Sequence, residues 1–545
     1  MNVSQNHPFA ITLDAGTSLV NHTGSWRTVR PEYVHRLPPC NHACPAGEDI
    51  QGWLAHAESG DYEAAWRALV QNNPLPAVMG RVCYHPCEGA CNRAQIDSAV
   101  GINSVERFLG DLAIEKGWRF DGPPTGSGKK ALIVGAGPSG LSAAYHLARL
   151  GHAVTIREAG PLPGGMMRFG IPKYRLPREI LDTEVQRICA LGVTIEYNSK
   201  VSNIRDAMRD GGFDAAFLAV GAHIAKRAYI PAAGAARVLD AVQVLRSMEG
   251  EDKPLLGRRV VVYGGGNTAI DVARTARRLG AEEAVIVYRR TREKMPAHDF
   301  EVEEALEEGV LMKWLSTIKN VDGSAITVEK MALDDKGFPQ PTGEYETLEA
   351  DSVILALGQD VDLSLLEGVE GLNVRDGVVE VGPNMMTGAP GIFAGGDMVP
   401  SERTVTVAVG HGKKAARHID AWLRGQTYAP APKHEIAGFD KLNTWYYGEA
   451  PKTVRPTLEL ARRTSSFDEV VKGLDESNAL YEARRCLSCG NCFECDNCYG
   501  VCPDNSVVKL GPGKGFEFNY DFCKGCGVCA NECPCGAIVM TPEEI

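Results

Sequence analysis

Eleven of the chain's seventeen cysteines lie between residues 486 and 535, and their spacing constrains the fold more than any other feature. Two runs read Cys492-x2-Cys495-x2-Cys498-x3-Cys502-Pro and Cys523-x2-Cys526-x2-Cys529-x3-Cys533-Pro. This is the pattern in which the fourth cysteine of each run ligates the other of two [4Fe–4S] clusters. One cube would take Cys492, Cys495, Cys498 and Cys533, and the other Cys523, Cys526, Cys529 and Cys502. Two four-cysteine zinc sites are the weaker reading, since zinc seldom uses three successive cysteines at this interval followed by Cys-Pro.

The other cysteines are also grouped. Five lie between residues 40 and 91, and only Cys189 falls in the long middle. The chain has 545 residues, 44% of them hydrophobic and 23% charged, which suits an ordinary globular chain of several domains. A net charge of −12 argues against a partner with a phosphate backbone. No apolar run approaches the roughly 18–20 residues that span a bilayer. The first residues lack the basic region and apolar core of a leader, so the expected location is cytoplasmic. There the thiols stay reduced and serve as ligands.

From Asp49 to about Gly117 the apolar spacing is helical: Ile50, Trp53, Leu54 and Ala57 share one face, and Tyr62, Ala65, Trp66 and Leu69 another. A Gly/Pro-rich linker follows. Between about residues 129 and 425, short β-rich runs alternate with helical ones, as in doubly wound α/β domains. Residues 427–482 read as a connector that wraps over other domains.

Two glycine fingerprints sit in the α/β body. In the first, an apolar strand from Lys130 runs into Gly135-Ala-Gly137-Pro138-Ser139-Gly140 and then a helix. The glycines admit a pyrophosphate to the helix N-terminus, and Glu158, at the end of the next strand, stands where an acid meets a ribose hydroxyl. In the second, a strand from Arg259 runs into Gly264-Gly265-Gly266-Asn267-Thr268-Ala269. Its following strand ends in Arg289-Arg290, not an acid. Guanidinium groups there suit a 2′-phosphate and favour NADP(H), although surface ion pairs are the plainer alternative. Far downstream, Gly391-Ile-Phe-Ala-Gly395-Gly396-Asp397 has the form by which FAD enzymes set an acid on the ribityl chain, and a helix is expected to start near Thr404 and Val405. FAD is thus expected at the first fingerprint and NADP(H) at the second, with Gly165, Met166 and Gly358 as further cofactor contacts. No cysteine pair stands beside either site. Electrons leaving the flavin therefore need the cysteine-rich ends of the chain.

The N-terminal set, Cys40-x3-Cys44-Pro with Cys83-x3-Cys87-x3-Cys91, has one ligand too many for one cube and too few for two. Here the chain resembles a known family. Arg81-Val-Cys83 to Cys91, the first fingerprint, Phe169-Gly-Ile-Pro-Lys-Tyr-Arg-Leu-Pro, Tyr288-Arg-Arg with Met295-Pro-Ala, and Gly391 to Asp397 are similar to the small subunit of NADPH-dependent glutamate synthase. They are equally similar to its relatives among electron-bifurcating transhydrogenases and dihydropyrimidine dehydrogenase. That family carries an R-C-x-x-C-G pair ahead of the cysteine at position 40, and this chain has none there. Arg485-Cys486-Leu-Ser-Cys489-Gly has the same wording, at the far end. One cluster would then use Cys40, Cys91, Cys486 and Cys489. The resemblance implies a second with Cys44, Cys83, Cys87 and a non-cysteine ligand, Glu106. The alternative is a single N-terminal cluster with Cys486 and Cys489 as idle thiols.

The expected architecture is multidomain α/β: a helical iron–sulfur domain (1–125), an FAD domain in two halves (126–252 and 356–426) around a nested Rossmann-like NAD(P)H domain (253–355), the connector, and a bacterial-type ferredoxin domain (483–545). The resemblance implies an electron-transfer flavoprotein subunit with FAD, NADP(H) and four [4Fe–4S] clusters, or three if the N-terminal region holds one. Its ferredoxin fusion is similar to subunits that couple 2-oxoacid oxidoreductases to NAD(P)+ reduction. A glutamate synthase small-subunit role, a stand-alone NADPH:ferredoxin oxidoreductase and a scaffold with vestigial nucleotide sites are the alternatives.

Overall fold

A computed structural model describes residues 21–123, 125–226, 230–233 and 237–543; the N-terminal stretch read as lacking a leader lies outside them. The first regular strand, β1 (Val29–Tyr33), is followed by the helical domain, whose four longest helices are α1 (Ile50–Glu58), α2 (Tyr62–Val70), α3 (Pro76–Val82) and α4 (Ile102–Lys116). Local chemistry explains their starts. Asp49 caps α1 by accepting from the Gly52 amide at 3.2 Å, and Asp61 caps α2 by accepting from Ala64 at 3.1 Å. The apolar faces expected from the spacing are buried, with Trp53 and Trp66 fully enclosed.

The α/β body holds two five-stranded parallel sheets. The first is built from β2 (Lys130–Val134), β3 (Ala153–Arg157), β4 (Thr194–Glu196) and β5 (Ala215–Leu218), with helices α5 (Pro138–Arg149) and α6 (Arg178–Cys189) between strands. The second is built from β6 (Val238–Asp240), β7 (Arg259–Tyr263), β8 (Glu283–Val287) and β9 (Leu311–Lys313), with α7 (Asn267–Arg278) and α8 (Asp299–Glu307) in its connections. A meander of β10 (Ser316–Asp322), β11 (Ala325–Leu333) and β12 (Pro339–Glu349) comes next, and then β13 (Ser352–Leu355) re-enters the second sheet between β7 and β6. Finally β14 (Ile392–Ala394) pairs in parallel with β5 at the edge of the first sheet, and α9 (Val405–Leu423) packs on α5. Val261 pairs with Val285 on one side and Val353 on the other, so the centre of the second sheet is a continuous apolar ladder.

Three features depart from the sequence reading. The second sheet starts at β6, upstream of residue 253, because a three-residue strand shows no periodicity to read. The antiparallel meander sits in what read as simple alternation of strand and helix. The third departure is the largest. The tail carries α10 (Glu476–Arg484), a hairpin of β15 (Val507–Lys509) and β16 (Phe516–Phe518), and β17 (Ile538–Pro542). β17 pairs not with a tail strand but antiparallel with β1, from Val29 opposite Pro542 to Tyr33 opposite Ile538. Thr23 Oγ1 donates to the Phe522 carbonyl at 2.5 Å, and Arg27 donates to the carbonyls of Tyr520 at 2.6 Å and Cys523 at 3.0 Å. Residues 21–33 therefore belong structurally to the tail and not to the helical domain in which the sequence reading placed them.

The connector is pinned along its length. Glu469 meets the buried guanidinium groups of Arg81 at 2.7 Å and Arg107 at 2.8 Å, and Arg463 reaches Glu307 of α8 at 2.9 Å. α10 packs against α1 and α4.

Candidate functional site: a cavity between two glycine turns, flanked by cysteine sets

A cavity of about 1010 Å³ opens between the two fingerprints. On the first side its wall is Gly135, Gly137, Pro138, Ser139 and Glu158, with Gly165 and Met166 below. Gly266, Asn267 and Thr268 enter from the second side. Gly358, Gly396, Asp397, Thr404 and Val405 close the remainder. Gly140 lies behind this wall: any Cβ there would overlap the Gly135 carbonyl oxygen, so only glycine lets α5 start this close to the turn. Gly264, at φ +147°, is the counterpart of Gly135 at φ +104°: a Cβ on either would meet a carbonyl oxygen, that of Ala356 or of Ala219. Gly265 packs under the Tyr288 ring. The arginines lie off the wall at the end of β8. Arg289 is exposed, and the Arg290 guanidinium sits 5.7 Å from the Phe338 ring of the meander with its Nε buried and unpartnered.

The polar groups of the cavity suit a phosphorylated, ribityl-bearing ligand. Glu158 accepts from the Ala136 and Gly160 amides, both at 2.8 Å, which fixes the carboxylate on the rim of the turn. Ser139 Oγ is buried with no hydrogen-bond partner, a donor left over at the start of α5. Burial holds the Asp397 carboxyl above its usual range, partly offset by Arg403. Thr404 caps α9 by accepting from Val407 at 3.2 Å. The cradle of glycines, the α5 N-terminus and the orphaned hydroxyl together fit a dinucleotide.

The cysteines gather into four sets. Cys40, Cys91, Cys486 and Cys489 line one small cavity of about 20 Å³, although Cys40 and Cys489 are almost the whole chain apart. Burial, reinforced by the charges of Cys486, Cys91 and Cys489, holds the Cys40 thiol far above its normal value. Asn92 Nδ2 donates to Cys489 Sγ at 3.4 Å. The tail is anchored beside them by Arg485, which donates to Ser98 O at 2.6 Å, Ala99 O at 3.0 Å and Glu482 at 2.9 Å.

Cys44, Cys83 and Cys87 form the second set, with Glu106 as their carboxylate neighbour. Burial and then the Glu106 charge push Cys83 up to about 12, while Cys44 and Cys87 are raised by burial with Glu106 a lesser cause. A second buried acid, Glu48, lies in the same group. Asn73 Nδ2 donates to Glu48 at 3.0 Å and to Glu106 at 2.8 Å, so one amide bridges the two carboxylates. Glu48 was missed from sequence, where a lone acid after Cys-Pro-Ala-Gly carries no pattern. This set touches the large cavity: Val82 and Tyr84 line it, and Thr406 Oγ1 of α9 donates to Cys83 Sγ at 3.1 Å.

In the tail, Cys533 lies among Cys492, Cys495 and Cys498, and Cys502 among Cys523 and Cys529 with Cys526 beside them. Tyr33 of β1 brings its hydroxyl 3.3 Å from Cys498 Sγ, a partner the linear reading could not supply. Backbone amides of His85, Ser506 and Ala537 donate to Cys83, Cys502 and Cys533 at 3.2, 3.3 and 3.3 Å, which favours thiolate sulfur. Among the described residues, no three His, Cys, Asp or Glu side chains close on a point as a single metal ion requires. A four-iron cube spreads its thiolates over a wider cage, and the all-sulfur sets suit it. Cys535, which belongs to none of the four sets, rests with its Sγ 3.7 Å from that of Cys533, and Cys189 is half-buried on α6.

Residues 129–412 match the pyridine nucleotide-disulphide oxidoreductase family. The chain belongs to that family. Residues 35–118 match the dihydropyrimidine dehydrogenase domain II, 4Fe-4S cluster, and residues 516–539 a 4Fe-4S binding domain. The chain is 39% identical over 504 residues to the NADP(+)-dependent formate dehydrogenase subunit beta of Moorella thermoacetica, an alignment covering 83% of this chain and 70% of that protein. It is 33% identical over 524 residues to the NADPH-Fe(3+) oxidoreductase subunit beta of Geobacter sulfurreducens (strain DL-1 / KN400), covering 84% and 77%. To the glutamate synthase [NADPH] small chain of Escherichia coli (strain K12) it is 35% identical over 422 residues, covering 71% and 89%. This family member is thus an oxidoreductase of FAD and NADP(H) carrying [4Fe–4S] domains.

Proposed function

We propose that this protein moves electrons between NADP(H) and a partner redox subunit through FAD and four [4Fe–4S] clusters. The observation that carries the reading is the shared cavity of Cys40, Cys91, Cys486 and Cys489, which gives the tail and the helical domain a cluster in common. FAD, when bound, converts hydride chemistry at the nicotinamide into single electrons for the clusters.

The chain's residues position these groups. The α5 N-terminus, with Gly137, Pro138 and Ser139, holds the flavin pyrophosphate, while Glu158 and Asp397 face the ribose and ribityl hydroxyls. The α7 N-terminus, with Gly266, Asn267 and Thr268, takes the nicotinamide nucleotide, and Arg289 and Arg290 its 2′-phosphate. The first turn of α9 meets both the cavity, at Thr404 and Val405, and Cys83, through Thr406 Oγ1, so it links the flavin site to the Cys44, Cys83, Cys87 and Glu106 set. From there the Cys40 set and the two tail sets lead outward, and Cys492, Cys495 and Cys526 are exposed for a partner to approach.

The partner in this reading is the catalytic subunit of a 2-oxoacid oxidoreductase, with electrons flowing to NADP+. The relative named as a formate dehydrogenase subunit favours a second reading, in which the partner acts on formate. A glutamate synthase role is weaker, since that alignment leaves over a quarter of this chain unmatched. No helix among the described residues is long and apolar enough to cross a membrane, and seventeen cysteines with no disulfide among the described residues suit a reducing compartment such as the cytoplasm. Anaerobic purification from the native host, with the co-purifying subunits identified, tests the partner. NADPH should bleach the flavin of the isolated protein within the mixing experiment; a flavin that neither NADPH nor NADH reduces refutes the reading.

A further inference from the structure

The second fingerprint is held in part by a residue from the cysteine loop. Between Cys83 and Cys87 the chain passes through His85 at φ +40°, in the left-handed region that a non-glycine residue rarely adopts. The His85 amide donates to Cys83 Sγ at 3.2 Å, and Tyr84 is turned toward α7. The Tyr84 hydroxyl accepts from Asn267 Nδ2 at 2.7 Å. Its ring stacks on His298, with centroids 3.6 Å apart and 23° between planes. Asn267 Oδ1 accepts in turn from the His298 amide at 3.1 Å. Both ends of the Asn267 amide are therefore tied, one to the cysteine loop and one to the start of α8. The surrounding wall is equally fixed, since Arg175 grips Asp271 of α7 at 2.9 Å and Glu301 of α8 at 2.5 Å.

We propose that Tyr84 is a positioning residue for hydride transfer. It locks Asn267 at the first position of α7 and so sets the nicotinamide end of the nucleotide against the flavin. This rests on the reading above, in which the α7 N-terminus takes the nucleotide. Tyr84 and Asn267 both line the large cavity, whereas the His298 ring braces Tyr84 from behind. Loss of the hydroxyl leaves the Asn267 amide tied only at Oδ1, to the His298 amide, and so loosens it while the stacked ring stays. Transfer between two rings depends steeply on their separation, so a loosened nicotinamide costs rate before it costs affinity. The residue that does this belongs to the loop carrying Cys83 and Cys87, which makes the nucleotide site and that cysteine set one mechanical unit.

The test is anaerobic stopped-flow reduction of the holoprotein's flavin by NADPH, with NADP+ affinity measured separately. Tyr84→Phe should reduce flavin about tenfold more slowly, with NADP+ affinity changed less than about threefold and FAD and iron contents intact. Asn267→Ala removes the same bond without touching the cysteine loop, and the double variant should be no slower than the slower single one, because both act through one contact. If Tyr84→Phe loses iron, Asn267→Ala alone carries the test. Native-rate reduction by Tyr84→Phe or Asn267→Ala, or losses that multiply in the double variant, overturns the proposal and leaves the nucleotide assignment standing. Failure of NADPH to reduce the unaltered protein overturns both.

Discussion

Replacing Cys486 and Cys489 with serine is the sharpest perturbation the structure offers. Four cysteines line one cavity, two from the helical domain and two from the start of the tail. Four cubes of four irons correspond to about sixteen irons per FAD, and a cube deprived of two of its four thiolates does not persist, so the variant should carry about twelve. The effect should remain local. The tail is held at this point by Arg485, whose guanidinium reaches Ala450 O at 3.1 Å, Ala99 O at 3.0 Å and Ser98 O at 2.6 Å, none of which the serines disturb. Bleaching of the flavin by NADPH should persist, because it precedes the clusters. Passage of electrons from NADPH to an acceptor that meets the tail should fall by at least tenfold, since the cluster between the two ends of the path is gone. The assay is iron and FAD determination on anaerobically purified protein, with one spectroscopic cluster signal missing after dithionite reduction. The argument fails if the variant keeps the native iron count, or if the unaltered protein already carries only about twelve irons.

Other outcomes follow from single contacts. Tyr33→Phe removes the hydroxyl 3.3 Å from Cys498 Sγ; hydrogen bonds to cluster sulfur raise the potential, so that of the cluster at Cys498 should fall in a redox titration while iron stays constant. Arg289→Ala with Arg290→Ala should weaken NADPH binding about 10- to 100-fold and NADH binding little, the loss expected for charge-assisted bonds of about 1.5–3 kcal/mol; equal losses for both nucleotides would count against a 2′-phosphate site. Gly140→Ala should yield protein without FAD but with its iron, because the new methyl meets the Gly135 carbonyl oxygen. Burial pushes Glu184 up to about 7, although the Ala77 and Val78 amides donate to it at 2.9 and 3.0 Å. The folded state thus holds this proton more tightly than the unfolded one, so its contribution is full below about 4.5 and is lost as pH rises toward 7. At about 1.4 kcal/mol per unit, roughly 3 kcal/mol is at stake, and Glu184→Gln should flatten the fall in thermal stability between pH 5 and 7.5.

What the sequence disclosed, and what it hid, divides along the distance between partners. The fingerprints at Gly135–Gly140 and Gly264–Ala269 were legible because strand, turn and helix are contiguous, so one stretch of chain carries the whole signal. Spacing of two and three made the tail cysteines legible in the same way. Cys486 and Cys489 could be placed only because Arg-Cys-x-x-Cys-Gly is a local phrase missing from where it belongs. No local phrase marks Tyr84, whose role depends on Asn267 183 positions away, or Glu48, which matters only beside Asn73 and Glu106.

The pairing of β1 with β17 is the extreme case. Val29–Tyr33 has the composition of a charged loop, with a proline at its centre, and nothing in it announces a partner more than 500 positions on. Pro31 is tolerable because β1 lies at the edge of a two-stranded ladder, where one missing donor costs little. Closure over such a distance costs only about 2 kcal/mol more than closure over a tenth of it, because the penalty grows with the logarithm of length. Arg27, Thr23 and the ladder are enough to offset that difference. The tail is consequently closed by both ends of the chain. Cys486 and Cys489 lie against the helical domain at its beginning and β1 pairs with its end, so the cysteine-rich tail is braced from two sides.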